Sequence, residues 1–125
     1  MLFDTDIFIW LQRGNKKAAH LIEKSQVRYI SIQSYMELLQ DAQNKKQHEY
    51  VKDFLTQFNF IVLPLTENIG HRALIYIEEY TLSCHLRAAD AIIAATAVEN
   101  NMPLVSSNLK HFRPLQDLKL EAFLP

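Results

Sequence analysis

Glycine, proline and cysteine are scarce in this chain of 125 residues, which has two, four and one of them. Gly14 and Gly70 stand far apart, so no glycine-rich loop able to cradle the phosphates of a nucleotide can be built. The lone Cys84 excludes an intrachain disulfide and a multi-cysteine metal cluster, and reads as a small apolar filler in a reducing compartment. Excess charge is missing too. With 13 Lys+Arg against 14 Asp+Glu and a net charge of -1, the general signature of a nucleic-acid binder is absent, and any polyanion must be held by local features. No window approaches the ~18 apolar residues of a membrane span. At the N-terminus, Asp4 and Asp6 fall where a secretion signal would be most hydrophobic. The chain is therefore expected to be soluble and cytoplasmic, with no membrane partner. Repeats, low-complexity tracts and linkers are also lacking, so residues 1–125 are expected to form one domain.

What the chain does have is 49% hydrophobic residues in short, regularly spaced segments. Met1 to Asp4 reads as a buried strand, and Asp6 to Arg13 as a helix with Asp6 near its N-cap and Gly14 as its stop. Lys16 to Lys24 has helical spacing and Val27 to Ile32 the β-branched and aromatic residues of a strand. Two amphipathic helices follow, Gln33 to about Asn44 and Gln47 to Phe58, joined by a polar turn that predicts an antiparallel hairpin. Phe60 to Leu63 is the next strand, Thr66 an N-cap, and Glu67 to about Leu82 a helix. Asp90 to Val98 is a helix apolar on nearly every side, Leu104 to Ser106 a strand, and Leu118 to Phe123 a candidate edge strand. The alternation predicts an α/β, Rossmann-like fold with a mostly parallel sheet and helices on both faces. Such sheets bind ligands outside the carboxyl ends of their strands, which places Asp4 at the functional edge.

Three acids sit in segments that should be buried: Asp4 in F-D-T-D-I, Glu37 in S-Y-M-E-L-L and Asp90 in A-A-D-A-I-I. Each has a local explanation. Asp4 could cap the first helix, Glu37 could close a capping box with Ser34, and Asp90 could pair with Arg87 or face a helix dipole. Taken together, they occupy three places that a doubly wound sheet can bring to one edge. Like charges about 4 Å apart repel by roughly 4 kcal/mol at an effective dielectric near 20, so such a cluster needs a cation. Oxygen-only ligands select Mg²⁺ or Mn²⁺ over Zn²⁺, and the five histidines (His20, His48, His71, His85, His111) show no zinc spacing. A hard divalent ion lowers the pKa of a bound water and neutralises phosphoryl charge, so the expected chemistry is phosphodiester hydrolysis.

Four stretches carry a family likeness: L-F-D-T-D-I at Leu2 to Ile7, I-S-I-Q-S-Y-M-E-L-L at Ile30 to Leu39, A-A-D-A-I-I-A-A-T-A at Ala88 to Ala97, and P-L-V-S-S-N-L-K-H-F at Pro103 to Phe112. In them the chain resembles the PIN-domain family, and within it the VapC-type ribonuclease toxins of bacterial toxin-antitoxin pairs. The resemblance implies a single PIN domain, Mg²⁺-dependent endoribonuclease activity, inhibition by a cognate antitoxin, and a homodimer. It implies Asp4 and Asp90 as principal metal ligands, Glu37 as a ligand or water-positioning group, and Thr5 as a hydroxyl steadying the site. Asp6 stands where many members have Asn or Ser, and either adds charge or caps the helix. Many relatives carry a further acid in the segment that here reads S-S-N-L-K-H-F. This chain offers Ser106, Asn108 and His111 instead, with Asn108 able to ligate through its amide oxygen or a bridging water. Arg87, Lys110 and His111 are the expected contacts to the phosphates of the RNA substrate, ahead of the lysine pairs Lys16/Lys17 and Lys45/Lys46. The helix hairpin of Gln33 to Phe58 corresponds to the part that forms the antitoxin groove.

Other classes make different demands. A non-catalytic binding module of the same fold would have a crippled metal site and act as an antitoxin sink or scaffold. A phosphoacceptor regulator would need an Asp at the end of the third strand, where the chain reads F-I-V-L-P-L. A PIN nuclease acting in RNA processing would share the chemistry without an antitoxin.

Overall fold

Strand β1 is only Leu2–Phe3, yet its two side chains enter two different cores. Successive residues of a strand point to opposite faces, so a fully apolar pair belongs in a sheet covered on both sides. The computed structural model describes residues 1–125. It contains five strands, β1 (Leu2–Phe3), β2 (Arg28–Ser31), β3 (Phe60–Leu63), β4 (Leu104–Ser106) and β5 (Leu120–Ala122). The helices are α1 (Thr5–Gln12), α2 (Lys16–Lys24), α3 (Ile32–Asp41), α4 (Lys45–Gln57), α5 (Glu67–Cys84), α6 (Ala88–Glu99) and α7 (Leu109–Phe112). The sheet runs β3-β2-β1-β4-β5 and every pairing is parallel. This is the expected α/β architecture, and the strand order reverses between β1 and β4, where open sheets of this kind form their crevice.

On one face, Phe3 and Val105 pack with Ile7, Phe8, Ile22, Leu38, Val51 and Leu55 from α1 to α4. Leu2 and Leu104 face the opposite side, against Ile69 and Tyr76 of α5 and the small residues Ala91, Ala94, Ala95 and Ala97 of α6. Alanines let α6 lie close to α5 and leave it buried on most sides, as its uniform hydrophobicity predicts. No helix is long and apolar enough to cross a membrane.

Caps explain most element boundaries. Asn15, Ser31, Asn44 and Thr66 each accept a hydrogen bond from the backbone N–H three residues on, satisfying an otherwise orphaned donor. Thr66 caps as expected. The capping box expected of Ser34 and Glu37 does not form, because Ser31 caps α3 and Ser34 supplies the N–H it receives. Similarly Asp4, not Asp6, is the N-cap of α1, and Asn44 starts α4 earlier than the hydrophobic pattern indicates. Gly14 follows α1 at φ 83, a left-handed conformation that needs no Cβ, and so ends the helix. Helix α6 begins at Ala88, not Asp90, and the short α7 was not expected from so few residues.

Phe3 is fully buried and meets Phe8 and Phe60 edge-on at centroid separations of 6.5 and 5.6 Å. Phe3→Ala is expected to cost about 3–5 kcal/mol of unfolding free energy, through lost transfer energy and a cavity between layers. Urea denaturation measures it directly.

Candidate active site

The carboxyl ends of β1 and β4 lie side by side, and the next residue of each is polar. Asp4 leaves β1 with its backbone N–H bonded to the Val105 carbonyl at 3.0 Å, so its side chain is positioned by the sheet itself. It is only 5% exposed. Asp4 Oδ1 accepts the Thr5 N–H at 2.8 Å, and Oδ2 accepts the Ser106 hydroxyl at 2.7 Å. The capping role proposed as a local explanation is therefore real, but it occupies one oxygen only.

From Asp4 a hydrogen-bonded path reaches every other acid singled out in the sequence. Thr5 Oγ1 lies 2.9 Å from Ser34 Oγ and donates to Glu37 Oε1 at 3.1 Å. Ser106 Oγ also accepts the Asn108 N–H at 2.9 Å. The Asn108 amide nitrogen is 3.0 Å from His111 Nδ1, which is 3.2 Å from Asp90 Oδ2. Asp90 of α6 thus meets His111 of α7 and not Arg87. Asp6 Oδ2 accepts the Ser107 N–H at 2.9 Å and also the Ser107 hydroxyl, tying α1 to the end of β4. Asp6 Oδ1 is buried with no hydrogen-bond partner.

The charge balance is lopsided. No lysine or arginine pairs with Asp4, Asp6, Glu37 or Asp90; Arg72 is engaged elsewhere, with Glu99 and Asp117. Burial pushes the Asp4 carboxyl up to about 8, with the negative charges of Asp6 and Asp90 adding to it and the bonds from Ser106 and Thr5 opposing it. Glu37 is also raised, first by burial and then by Asp90, while its bond from Thr5 pulls the other way. A buried acid raised by its acidic neighbours, next to an orphaned carboxylate oxygen, is the environment a hard cation relieves. The donors are all oxygens apart from His111, which fits Mg²⁺ or Mn²⁺. No three of the acids and histidines stand close enough together to hold a metal ion jointly, so an ion here would take one or two protein ligands and water.

A model of the PIN domain matches residues 1–115. The chain belongs to the PIN-domain family. Among solved structures, this PIN domain is similar to a chain of a toxin-antitoxin complex from Klebsiella pneumoniae. The two are 29% identical, with a TM-score of 0.79 over 94% of this chain and 93% of that one. It also resembles a chain of VapBC-1 from nontypeable Haemophilus influenzae (24% identical, TM-score 0.80, 97% and 96% covered). A third is VapBC2 from Rickettsia felis bound to a DNA fragment from their promoter (20% identical, TM-score 0.76, 98% of each covered). The latter two share the fold alone. No curated protein matches the chain significantly.

Of the residues expected at the site, the PIN fold links Asp4, Thr5, Asp6, Glu37, Asp90, Ser106, Asn108 and His111 in one network. Arg87 and Lys110 stand outside it, exposed, at the N-cap of α6 and within α7. Sequence reading missed Ser107, Ser34 and Trp10, whose indole N–H donates to Ser107 Oγ at 3.3 Å. The only local signal was the pair of serines that follows the apolar run of β4.

The raised Asp4 has a stability consequence. The folded state keeps a proton that the unfolded chain releases near 3.8, so its stabilising contribution is complete below that pH and is lost as pH rises to about 8. Metal-free protein should melt lower at pH 8 than at pH 4 through this group. Asp4→Asn removes the charge, keeps the Thr5 N–H on its amide oxygen and turns the Ser106 bond round so that its NH2 donates to Ser106 Oγ; it should raise the pH 8 melting temperature by about 4 °C or more, with little gain at pH 4. Differential scanning calorimetry in EDTA tests this.

Proposed function

We propose that the protein is a divalent-cation-dependent endoribonuclease toxin, inhibited by a cognate antitoxin that covers its site. The observation that carries this reading is the buried, cation-free carboxyl of Asp4 beside the orphaned Asp6 oxygen, at the crevice edge of a PIN fold. Asp4 and Asp90 would hold the ion, Glu37 would hold an ion or a water, and Asn108 would reach it through water. When bound, Mg²⁺ or Mn²⁺ supplies a lowered water pKa and neutralises charge on phosphoryl oxygens. With few protein oxygens to offer, the site leaves coordination positions for water and substrate, as Mg²⁺ sites usually do.

The remaining roles fall to the chain's own groups. Thr5 orients Glu37, and Ser106 orients Asp4. His111 Nδ1 lies within reach of both Asp90 Oδ2 and the Asn108 amide nitrogen, which leaves Nε2 for a phosphate oxygen. Arg87 and Lys110, exposed and unpaired, would be the cations that meet the RNA backbone. The toxin role draws support from the 29% identical chain of the Klebsiella pneumoniae toxin-antitoxin complex. An apolar groove between α1, α3 and α4, walled by Leu11, Leu38, Tyr50 and Phe54, suits an apolar segment of an antitoxin. Tyr50 is 62% exposed there. The half-exposed Leu74 and Ile75 of α5 support self-association as a homodimer.

Purified protein is expected to cleave RNA carrying single-stranded loops with Mg²⁺ or Mn²⁺ and to stop in EDTA. Asp4→Asn and Asp90→Asn should each lower kcat by about 10²-fold or more while the far-ultraviolet circular dichroism is unchanged. An ion bound in calorimetry without any cleavage would replace this reading with that of a binding module.

A further inference from the structure

At the crevice edge of the sheet no lysine or arginine pairs with Asp4, Asp6, Glu37 or Asp90, so a polyanionic strand entering it needs positive surface close by. One such surface lies on α2. Lys16, Lys17, His20 and Lys24 border an open groove of about 410 Å³ whose other wall is Phe123 and Leu124. Positions 16, 20 and 24 recur at four-residue intervals with 17 beside them, so these groups form a ridge along one helix face. At ~1.5 Å per residue the ridge is about 12 Å long, comparable with three or four stacked nucleotides at ~3.4 Å each. None of the three lysines is in an ion pair, although Glu23 and Glu121 are carried by the same two elements.

The ridge adjoins the carboxylate cleft. Phe123 N–H donates to the Ser106 carbonyl at 2.9 Å, and the Ser106 hydroxyl bonds Asp4. Trp10 bridges the two from the other side: its indole bonds Ser107, its ring lies 5.4 Å from the Arg13 guanidinium carbon, and Arg13 is three positions before the start of α2. Unpaired cations over an apolar floor of half-buried Leu21 and 68% exposed Leu124 match a single strand, with phosphates on the lysines and base faces on the floor.

We propose that the α2 ridge of Lys16, Lys17, His20 and Lys24 is a backbone-binding track that leads single-stranded RNA past Trp10 into the carboxylate cleft. This rests on the nuclease reading.

The test is fluorescence anisotropy of a labelled single-stranded RNA, longer than the ridge, with metal-free full-length protein across a series of KCl concentrations. Lys17→Ala/Lys24→Ala should bind several-fold more weakly and lower the slope of log K against log salt by about 1.4, from roughly 0.7 per lysine on a single strand. The charge-matched Lys52→Ala/Lys119→Ala should keep the wild-type slope. Equal loss in both variants, or no loss in the ridge variant, overturns the track while leaving the nuclease reading intact. Wild-type protein that binds no RNA at any salt overturns both. A ridge variant that keeps RNA but loses poly-glutamate binding overturns the track in favour of an acidic protein partner.

Discussion

A carboxyl group held away from water, with no cation against it, sits at the end of the central strand. Everything around Asp4 is arranged to keep it there: the sheet bond to Val105, the first N–H of α1, and the Ser106 hydroxyl. These bonds orient the group without neutralising it, and its acidic neighbours make ionisation harder still. Charge is costly to bury in a protein interior, so a carboxyl held this way gives up its proton readily only where something outside the chain relieves the charge. The metal dependence proposed for the enzyme follows from that imbalance more than from any single ligand.

The rest of the fold supplies the walls. Short strands with apolar residues on both faces require helices on both faces, and parallel strands require crossovers that bring every carboxyl end to one edge. The reversal of strand order between β1 and β4 opens that edge and sets Asp4 beside Ser106, 102 positions apart in sequence. The two faces then divide the work. Helices α5 and α6, packed through alanine, are the rigid support for Asp90. Helices α1 to α4 carry Glu37, the apolar groove proposed for a protein partner and the cationic ridge proposed for RNA.

Local chemistry was legible where one residue decides the outcome. Thr66 as a cap, Gly14 as a stop, strands Phe60–Leu63 and Leu104–Ser106, and the all-round apolar α6 follow from propensity and pattern. Where two polar residues competed for a role, the sequence could not choose. Asp4 and Asp6 were both plausible caps of α1, and the S-x-x-E spacing pointed to Ser34 where Ser31 in fact caps α3. Ser107 takes Asp6 away from the cap, and Thr5 holds Glu37 away from the capping box.

The amino-acid sequence by itself determined the fold class and the identity of the acids, because periodicity and misplaced charge are properties of neighbouring residues. The convergence of those acids was decided only in three dimensions, since it depends on strand order and crossover. The network that joins Glu37, Thr5, Asp4, Ser106, Asn108, His111 and Asp90 was decided there too. Hydrogen bonds between residues up to 102 positions apart leave no trace in local spacing. They exist only once the sheet has closed the distance.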